Sequence, residues 1–190
     1  MTEDLSDVEG VEKLDNLADP FKELATKVWM DIVSENLPFK VFETKRTFKR
    51  QNDLYMQGRA VDVVDRKIKR IGKIITGARP GRSPHNWGLA CDGVLDIEHT
   101  FWSDYQMLPP MIPQGMWDDG RRLGKSMNRI RQAWKSYGEI IKDHGLTWGG
   151  TFTFVDMPHF ELTEWRKLVP NDWRRIVTDQ IGNVPSMKYE

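Results

Sequence analysis

Apolar side chains recur at helical spacing in three parts of the chain, which predicts three helices with one face against a core. The first stripe follows Asp19-Pro20, a pair typical of an N-cap and a first helical turn. The second stripe ends at His144-Gly145, where glycine is expected at a helix C-terminus. The three stripes consist of Phe21, Leu24, Val28 and Ile32, of Met127, Ile130, Trp134, Tyr137 and Ile141, and of Trp173, Ile176 and Val177.

Shorter segments between these stripes alternate apolar and polar residues, as half-buried strands do. They are KVFET, the second half of SPHNWGLACDGVLDI, and two runs of LTWGGTFTFVDMPHFEL on either side of a turn. Thr47 is placed to cap a further helix that continues through Gln57 and ends at Gly58. From position 61 to 84 the chain is basic and then rich in glycine and proline, which predicts a surface excursion with one short strand at IGKIIT.

The length of 190 residues is enough for one core, so residues 20–190 are predicted to form a single domain. Residues 1–19 are acidic and poor in large apolar side chains, which predicts a flexible N-terminal tail. Residues 98–120 have no clear period and contain Pro109-Pro110, so this stretch is either an irregular insertion packed on an edge or a loop that lines a groove. Residues 163–190 are expected to form a C-terminal helical extension.

The charged residues are balanced, with 28 Lys and Arg against 28 Asp and Glu, so no large basic field exists to hold nucleic acid. Cys91 is the one cysteine, which excludes an internal disulfide and fits folding in a reducing cytoplasm. No run approaches the roughly 18 apolar residues of a membrane span. The N-terminus shows no basic region followed by an apolar run, so we expect no secretory signal.

Two histidines lie beside carboxylates in turn-rich segments between predicted strands. His85 and Asp92 are seven positions apart, so they converge only if the chain bends between them, and Asn86 and Gly88 allow that bend. If they do not converge, the same segment is a turn before a strand that carries a solvent-facing aspartate.

The second pair is Asp156 and His159, in the tetrapeptide D-M-P-H. Pro158 favours an extended residue before it, so this segment is a tight bend that can hold a carboxylate and an imidazole around one cavity. Two nitrogen ligands and one carboxylate with an open fourth position are typical of a catalytic zinc site, whereas structural sites are closed, usually by several cysteines. With a single cysteine in the chain, a closed structural site is not expected.

At these residues the sequence resembles a family of zinc peptidases that includes phage-type L-alanyl-D-glutamate endopeptidases and bacterial D-Ala-D-Ala carboxypeptidases and dipeptidases. Its motif S-x-H-x-x-G-x-A-x-D is matched by Ser83, His85, Gly88, Ala90 and Asp92. A second block, W-G-G-x-(W/F)-x-x-F-x-D-x-P-H-F, is matched over positions 148–160, with a spacing before the aspartate that is shorter by a residue or so. A weaker match, R-(S/T)-x-x-x-Q followed by L-Y-x-Q-G-R, spans positions 46–59. The resemblance covers about residues 41–162.

The resemblance implies an α+β fold of the hedgehog/DD-peptidase type, in which a small antiparallel sheet carries the site and helices pack on one side. It implies that His85, Asp92 and His159 bind Zn2+. It also implies that Asp156 takes a proton from water and returns it to the departing amine.

Other roles implied by the resemblance stay open between two readings. Arg46 is either a stabiliser of the developing oxyanion or part of a surface salt bridge. Ser83 either orients substrate or braces its loop. Trp148 is a candidate substrate contact, and aromatic and apolar residues of the 98–120 region are candidates to wall a groove: Phe101, Trp102, Tyr105, Met111 and Trp117.

The function implied is hydrolysis of a peptide bond in peptidoglycan, the L-Ala–D-Glu bond first, by a monomer. A phage endolysin that accumulates in the host cytoplasm and reaches the wall late fits a chain with one cysteine and no recognisable secretory signal, and cytoplasmic recycling of wall peptides fits as well. The alternatives are a D-Ala-D-Ala carboxypeptidase or dipeptidase, and a non-catalytic zinc-binding interaction module of the same fold. Retention of Asp156 argues against the last of these.

Overall fold

The computed structural model describes residues 5–6, 8–62, 64, 67–96 and 123–188, and in these ranges the chain forms an α+β fold. The helices are α1 (Phe21–Ser34), α2 (Phe48–Met56), α3 (Leu123–Asp143), α4 (Trp173–Ile181) and α5 (Pro185–Lys188). The strands are β1 (Phe39–Glu43), β2 (Arg59–Val61), β3 (Ile68–Arg70), β4 (Ala90–Leu95), β5 (Thr147–Trp148) and β6 (His159–Glu161). Short 3₁₀ helices lie at Val11–Asn16, Pro84–Trp87, Gly149–Thr151 and Trp165–Leu168.

Most of the predicted elements are confirmed. Thr47 caps α2, because its side chain accepts a hydrogen bond from the backbone N–H of Arg50 at 3.1 Å. Two details are corrected. Helix α1 begins at Phe21 with Pro20 at the N-cap position, so Asp19 does not cap it. The strand predicted at IGKIIT is wrong, since the chain instead pairs β2 with β3 as an antiparallel ribbon.

The main sheet is antiparallel and has the strand order β1-β4-β6-β5. Strand β4 lies between β1 and β6, which places its side chains at the centre of the sheet. In the register of these pairs, Asp92 of β4 lies opposite both Glu43 of β1 and His159 of β6. One row across the sheet therefore carries two carboxylates and an imidazole.

A bulge in β1 brings Glu43 into this row. The register with β4 shifts between Val41, which pairs with Gly93, and Glu43, which pairs with Asp92. Because side chains alternate between the faces of a strand, Val41 and Glu43 would share a face in a regular strand. One extra residue separates their faces, so Val41 enters the core while Glu43 joins the polar row.

The opposite face of the sheet packs against α1 and α3. Phe39 of β1 contacts two aromatic rings of α3, Trp134 at 4.7 Å and Tyr137 at 4.6 Å between ring centroids. Phe160 of β6 lies 5.7 Å from Phe21 of α1 on the same basis. The sheet thus divides into an apolar face under the helices and a polar face that is available for chemistry.

Residues 8–19 of the N-terminal segment pack on the core, and the flexibility predicted for residues 1–19 as a whole stays a prediction. Leu14 and Leu17 are buried, with 4% and 6% of their surface exposed. The backbone N–H of Val41 donates to Glu9 at 3.0 Å, and that of Ala18 donates to Gly88 at 3.0 Å. An acidic composition does not preclude docking when apolar residues are spaced along a 3₁₀ helix, since these side chains face the core while the acids face solvent.

Two further predictions concern residues 98–120 and the C-terminal extension. The 98–120 region, with Trp102 and Trp117, lies outside the described residues. The C-terminal extension is helical over Trp173–Ile181 and Pro185–Lys188, and Val177 is fully buried. Among the described helices, none is both long enough and apolar enough to cross a membrane.

Candidate metal centre

Strand register brings Asp92 and His159 together. They face each other across β4 and β6, and Oδ1 of Asp92 lies 3.0 Å from Nδ1 of His159. The neighbouring residues Cys91 and Phe160, also paired, point to the opposite face and are buried in the core. The two site residues are therefore held by the same pairing that builds the sheet.

His85 approaches from outside the sheet, on the 3₁₀ helix Pro84–Trp87. Gly88 ends this helix with φ 69°, a left-handed conformation that glycine adopts readily. A side chain at this position would also run into the backbone of Ala18. The chain thus makes the bend that the spacing of His85 and Asp92 requires.

Three donor atoms converge: Nε2 of His85, Nδ1 of His159 and Oδ1 of Asp92. Nε2 of His85 lies 3.2 Å from each of the other two atoms. Around a tetrahedral zinc ion with bonds of about 2.0 Å, neighbouring donor atoms lie about 3.3 Å apart. The spacing therefore fits three corners of a tetrahedral divalent cation site, and two nitrogens with one carboxylate oxygen are a donor set that suits zinc.

The second nitrogen of each imidazole has its own partner, which fixes the orientation of the ring. Nδ1 of His85 donates to the carbonyl oxygen of Thr44 at 2.6 Å. Nε2 of His159 donates to Oε2 of Glu161 at 3.0 Å. Each ring consequently presents the lone pair of its other nitrogen to the convergence point, the usual arrangement around a metal-binding histidine.

Glu161 is a member of the site that the sequence analysis missed. It follows His159 by two positions on β6, so both side chains share the polar face of the strand. The period of two in H-F-E was the available signal. Its side chain is 15% exposed, which places the Glu161–His159 pair at the edge of the centre rather than in open solvent.

The electrostatics of the centre favour positive charge. Burial would raise the pKa of Asp92, but His85 and His159 outweigh burial and hold the pKa of that carboxyl well below its usual range. For His159, burial lowers the pKa, but hydrogen bonds with Asp92 and Glu161 outweigh burial and raise it. The centre therefore favours positive charge, which fits the binding of a divalent metal ion in place of a proton.

Arg46 lies beside the centre and is not a surface residue, since its side chain is 11% exposed. Its Nη2 forms an ion pair with Glu43 and lies 3.8 Å from Oδ2 of Asp92. Nη1 donates to Oε1 of Gln51 at 2.8 Å, while Nε has no partner among the described residues. The surface salt bridge considered for Arg46 is thus replaced by a buried contact network at the centre.

Asp156 lies on the loop of residues 151–156 that flanks the centre. The residue is open to solvent, yet protein atoms crowd its carboxyl group, so desolvation raises its pKa and the charge of Asp92 raises it further. His159, His85 and Arg46 act in the opposite direction. These interactions place the Asp156 carboxyl within electrostatic range of Asp92, His85, His159 and Arg46.

Gly149 ties this loop to the sheet. Its carbonyl oxygen accepts the backbone N–H of Asp156 at 3.0 Å, and a side chain at this position would overlap the Asp156 carbonyl oxygen. Phe152 contacts the ring of His159 with centroids 5.9 Å apart.

Two other candidate residues, Ser83 and Trp148, and the remaining described histidine, His144, have contacts of their own. Ser83 is buried and its carbonyl oxygen accepts the backbone N–H of Asn86 at 3.1 Å, which fits a loop brace. Trp148 packs against the core and its Nε1 donates to the carbonyl oxygen of Met157 at 2.8 Å, so its substrate contact stays a prediction. His144 pairs with Asp31 at 2.7 Å, away from the centre.

Three comparisons with known proteins found similar molecules. A family model for M15 peptidases, described as D-alanyl-D-alanine carboxypeptidase, matches residues 76–162, a range that contains the converging residues and Asp156. The peptidoglycan L-alanyl-D-glutamate endopeptidase CwlK of Bacillus subtilis strain 168 is 35% identical over 146 residues, which cover 76% of this chain and 68% of CwlK. The crystal structure of the L-Ala D-Glu endopeptidase ChiX of Serratia marcescens aligns over 88% of this chain and 100% of that one, with 19% identity and a TM-score of 0.45.

Proposed function

This chain belongs to the M15 family of metallopeptidases, and on that premise we propose that it hydrolyses a peptide bond of peptidoglycan with a zinc ion held by His85, Asp92 and His159. The observation that carries the proposal is the convergence of three donor atoms at 3.0 to 3.2 Å. Zinc content close to one ion per chain, measured on purified protein, tests the metal.

The proposed chemistry divides between the metal and the chain. His85, Asp92 and His159 would hold the zinc ion, which would supply a Lewis acid able to polarise the scissile carbonyl and to make water a nucleophile near neutral pH. Asp156 accepts the proton of the attacking water and returns it to the amine as the carbon–nitrogen bond breaks. Without a metal ion, burial and the charge of Asp92 raise the pKa of the Asp156 carboxyl, and a bound divalent cation would act in the opposite direction.

Arg46 has two proposed contributions. As an oxyanion stabiliser it would place positive charge where the carbonyl oxygen gains negative charge. Its contact with Asp92 adds a second contribution, which is to hold the carboxylate that faces the metal. Glu43 and Gln51, in turn, hold Arg46.

The bond cut is proposed to be L-Ala–D-Glu, and the 35% identity with CwlK supports that choice. The description of the matching family model favours a second candidate, removal of the C-terminal D-Ala. Mass spectrometry of products from purified peptidoglycan distinguishes them. An endopeptidase creates new D-Glu amino termini, whereas a carboxypeptidase releases free D-Ala only.

The Asp156→Asn protein is the matched control for this measurement. If neither the parent protein nor the variant releases any product while zinc is bound, the chain is a non-catalytic zinc-binding module rather than an enzyme. Products that appear with the parent and not with the variant support hydrolysis at this centre.

We also propose that the protein acts as a phage endolysin, stored in the host cytoplasm as a monomer until it reaches the wall. The single buried cysteine supports folding in a reducing compartment. Bacteria that produce the protein in their cytoplasm should keep their turbidity until the membrane is permeabilised and should then lyse. Lysis without permeabilisation would contradict cytoplasmic storage, and size-exclusion chromatography tests the monomer.

A further inference from the structure

A cavity lies away from the metal centre, between α2, the β2–β3 ribbon and the segment that follows β3. It has a volume of about 460 Å³ and an opening to solvent. Cationic side chains dominate its wall: Arg59, Lys67, Arg70 and Arg79. Tyr55 of α2 forms the aromatic part of the wall.

Two of the arginines are held in place by Tyr55. The guanidinium carbon of Arg59 lies 4.0 Å above the centre of the Tyr55 ring, and Nη1 donates to the carbonyl oxygens of Tyr55 and Thr76. The guanidinium of Arg79 lies 5.8 Å from the same centre, and its Nε donates to the Tyr55 hydroxyl at 3.3 Å. These contacts fix the aliphatic parts of both arginine side chains and leave further N–H groups on each guanidinium group. The guanidinium groups are therefore oriented before a ligand binds.

Among the described residues that line this cavity, none is acidic. Among the described residues, no carboxylate forms an ion pair with Arg59, Arg70 or Arg79, and Asp62 pairs with Lys69 at 2.7 Å. Positions 59–82 contain eight Lys and Arg against two Asp, in a chain whose formal net charge is zero. This segment is therefore strongly basic, while the rest of the chain carries the balancing negative charge.

The cavity is connected to the metal centre through α2. Gln51, which accepts from Arg46, donates through its own amide to the carbonyl oxygen of Ala78 at 2.7 Å, next to Arg79. Tyr55 follows Gln51 by four residues, so about 6 Å of helical rise separates them. A polymer held at the cavity would lie within reach of the catalytic centre.

We propose that this pocket, formed by Tyr55, Arg59, Arg70 and Arg79, binds an oxyanion of the cell-wall polymer, either a phosphodiester or a carboxylate, and thereby holds the wall beside the metal centre. The inference rests on the proposed function. Guanidinium forks match the geometry of both oxyanions with paired hydrogen bonds, and the small cavity suits one anionic group with its neighbouring carbons.

The test measures wall binding separately from cleavage. In an Asp156→Asn background, co-sedimentation with purified walls compares Arg70→Gln/Arg79→Gln with a control of equal charge change on the exposed face of α3, Arg129→Gln/Lys135→Gln. Loss of two charge-assisted contacts should raise the apparent Kd of the pocket variant about 10 to 100-fold, while the control stays within about threefold. Equal binding by the two variants would overturn the proposal.

Two arms of the experiment identify the source of the anion. On walls from which phosphodiester polymers have been removed, the difference between the variants disappears if the ligand is a phosphodiester and persists if it is a peptidoglycan carboxylate. Arg70→Gln alone, at an exposed position, keeps the test valid if the double variant is unstable.

With Asp156 intact, the pocket variant should cleave a short soluble stem peptide at the parental rate if the pocket binds a phosphodiester, and more slowly than the parent if the pocket binds a carboxylate of the stem peptide. Failure of the parent to cleave this peptide or the wall would refute the proposed function, whatever the binding result.

Discussion

The metal centre and the 151–156 loop lie side by side, and the chain holds them in different ways. His85 and His159 are 3% and 7% exposed, and the ring nitrogen of each that points away from the convergence point forms a hydrogen bond. Phe154 in the loop is 90% exposed, and the loop is tied to the sheet through the carbonyl oxygen of Gly149. One region is built by strand register and the other by a turn beside it.

The buried, strand-built region suits metal binding, and the exposed loop suits the proton transfer proposed for Asp156. Three donor atoms must converge within a few tenths of an ångström, so they are carried by paired strands and a buried 3₁₀ helix. A group that accepts and returns a proton must face the reacting water, and the proposed role of Asp156 is compatible with its solvent-exposed position on the loop. Changes in the first region should therefore alter metal content, and changes in the second should alter turnover with metal still bound.

The largest effect should follow His159→Ala. The variant loses one of three donor atoms, so we expect loss of bound zinc and of activity together. At zinc concentrations about 1,000 times the Kd, zinc binding stabilises the parent by about 4 kcal/mol, and the variant should lack this stabilisation. Thermal unfolding with and without added zinc, measured on each protein, isolates that term from the cost of the substitution itself. A variant that still gains stability from zinc would show that His159 is not a ligand.

Asp156→Asn should have the next largest effect and should divide the two regions most clearly. Asparagine keeps the size of the side chain and cannot accept the proton, so turnover should fall about 10²- to 10⁴-fold while zinc content stays at the parental level. Zinc content and turnover are to be measured on the same preparation. Loss of zinc, with partial rescue by added metal, would move Asp156 into the ligand set.

Glu161→Gln tests whether the second contact of His159 matters to the metal. The amide can still accept from Nε2 of His159 but carries no charge, so zinc affinity or activity should fall about 10- to 100-fold. Glu139→Gln, an exposed position on α3 paired with Lys135, is the matched control and should change neither. If Glu161→Gln and Glu139→Gln have equal zinc affinity and activity, the charge of Glu161 does not contribute to metal binding.

The converging residues could be predicted from the sequence because their motifs are local. Gly88 indicates the bend between His85 and Asp92. Pro158 indicates the turn between Asp156 and His159. Glu43 could not be predicted in the same way, because it reaches the polar row only through a bulge in β1 that no local pattern marks. Docking of Leu14 and Leu17 was hidden by acidic neighbours, since average composition over a segment does not show which face each residue takes.

The smallest predicted effect comes from Tyr137→Phe, which acts from the core side of the sheet. The buried hydroxyl of Tyr137 donates to the carbonyl oxygen of Pro158 at 2.9 Å, directly between Asp156 and His159 in sequence. The backbone N–H of Gly93 also donates to that oxygen at 2.9 Å, so the carbonyl keeps a partner when the hydroxyl is removed. We therefore expect a loss of about 1 kcal/mol in the free energy of unfolding, from denaturant titration of the zinc-bound protein.

Turnover and zinc content measured on the same Tyr137→Phe protein show whether the metal centre and the 151–156 loop depend on the core separately. If strand pairing through Gly93 is enough to hold His159, zinc content stays at the parental level and turnover changes less than about tenfold. A large fall in turnover with full zinc would mean that the turn before His159 depends on the core for its shape, and that Asp156 is positioned from beneath the sheet as well as by Gly149. Loss of zinc would instead mean that the two regions share one support, and the division between them would fail.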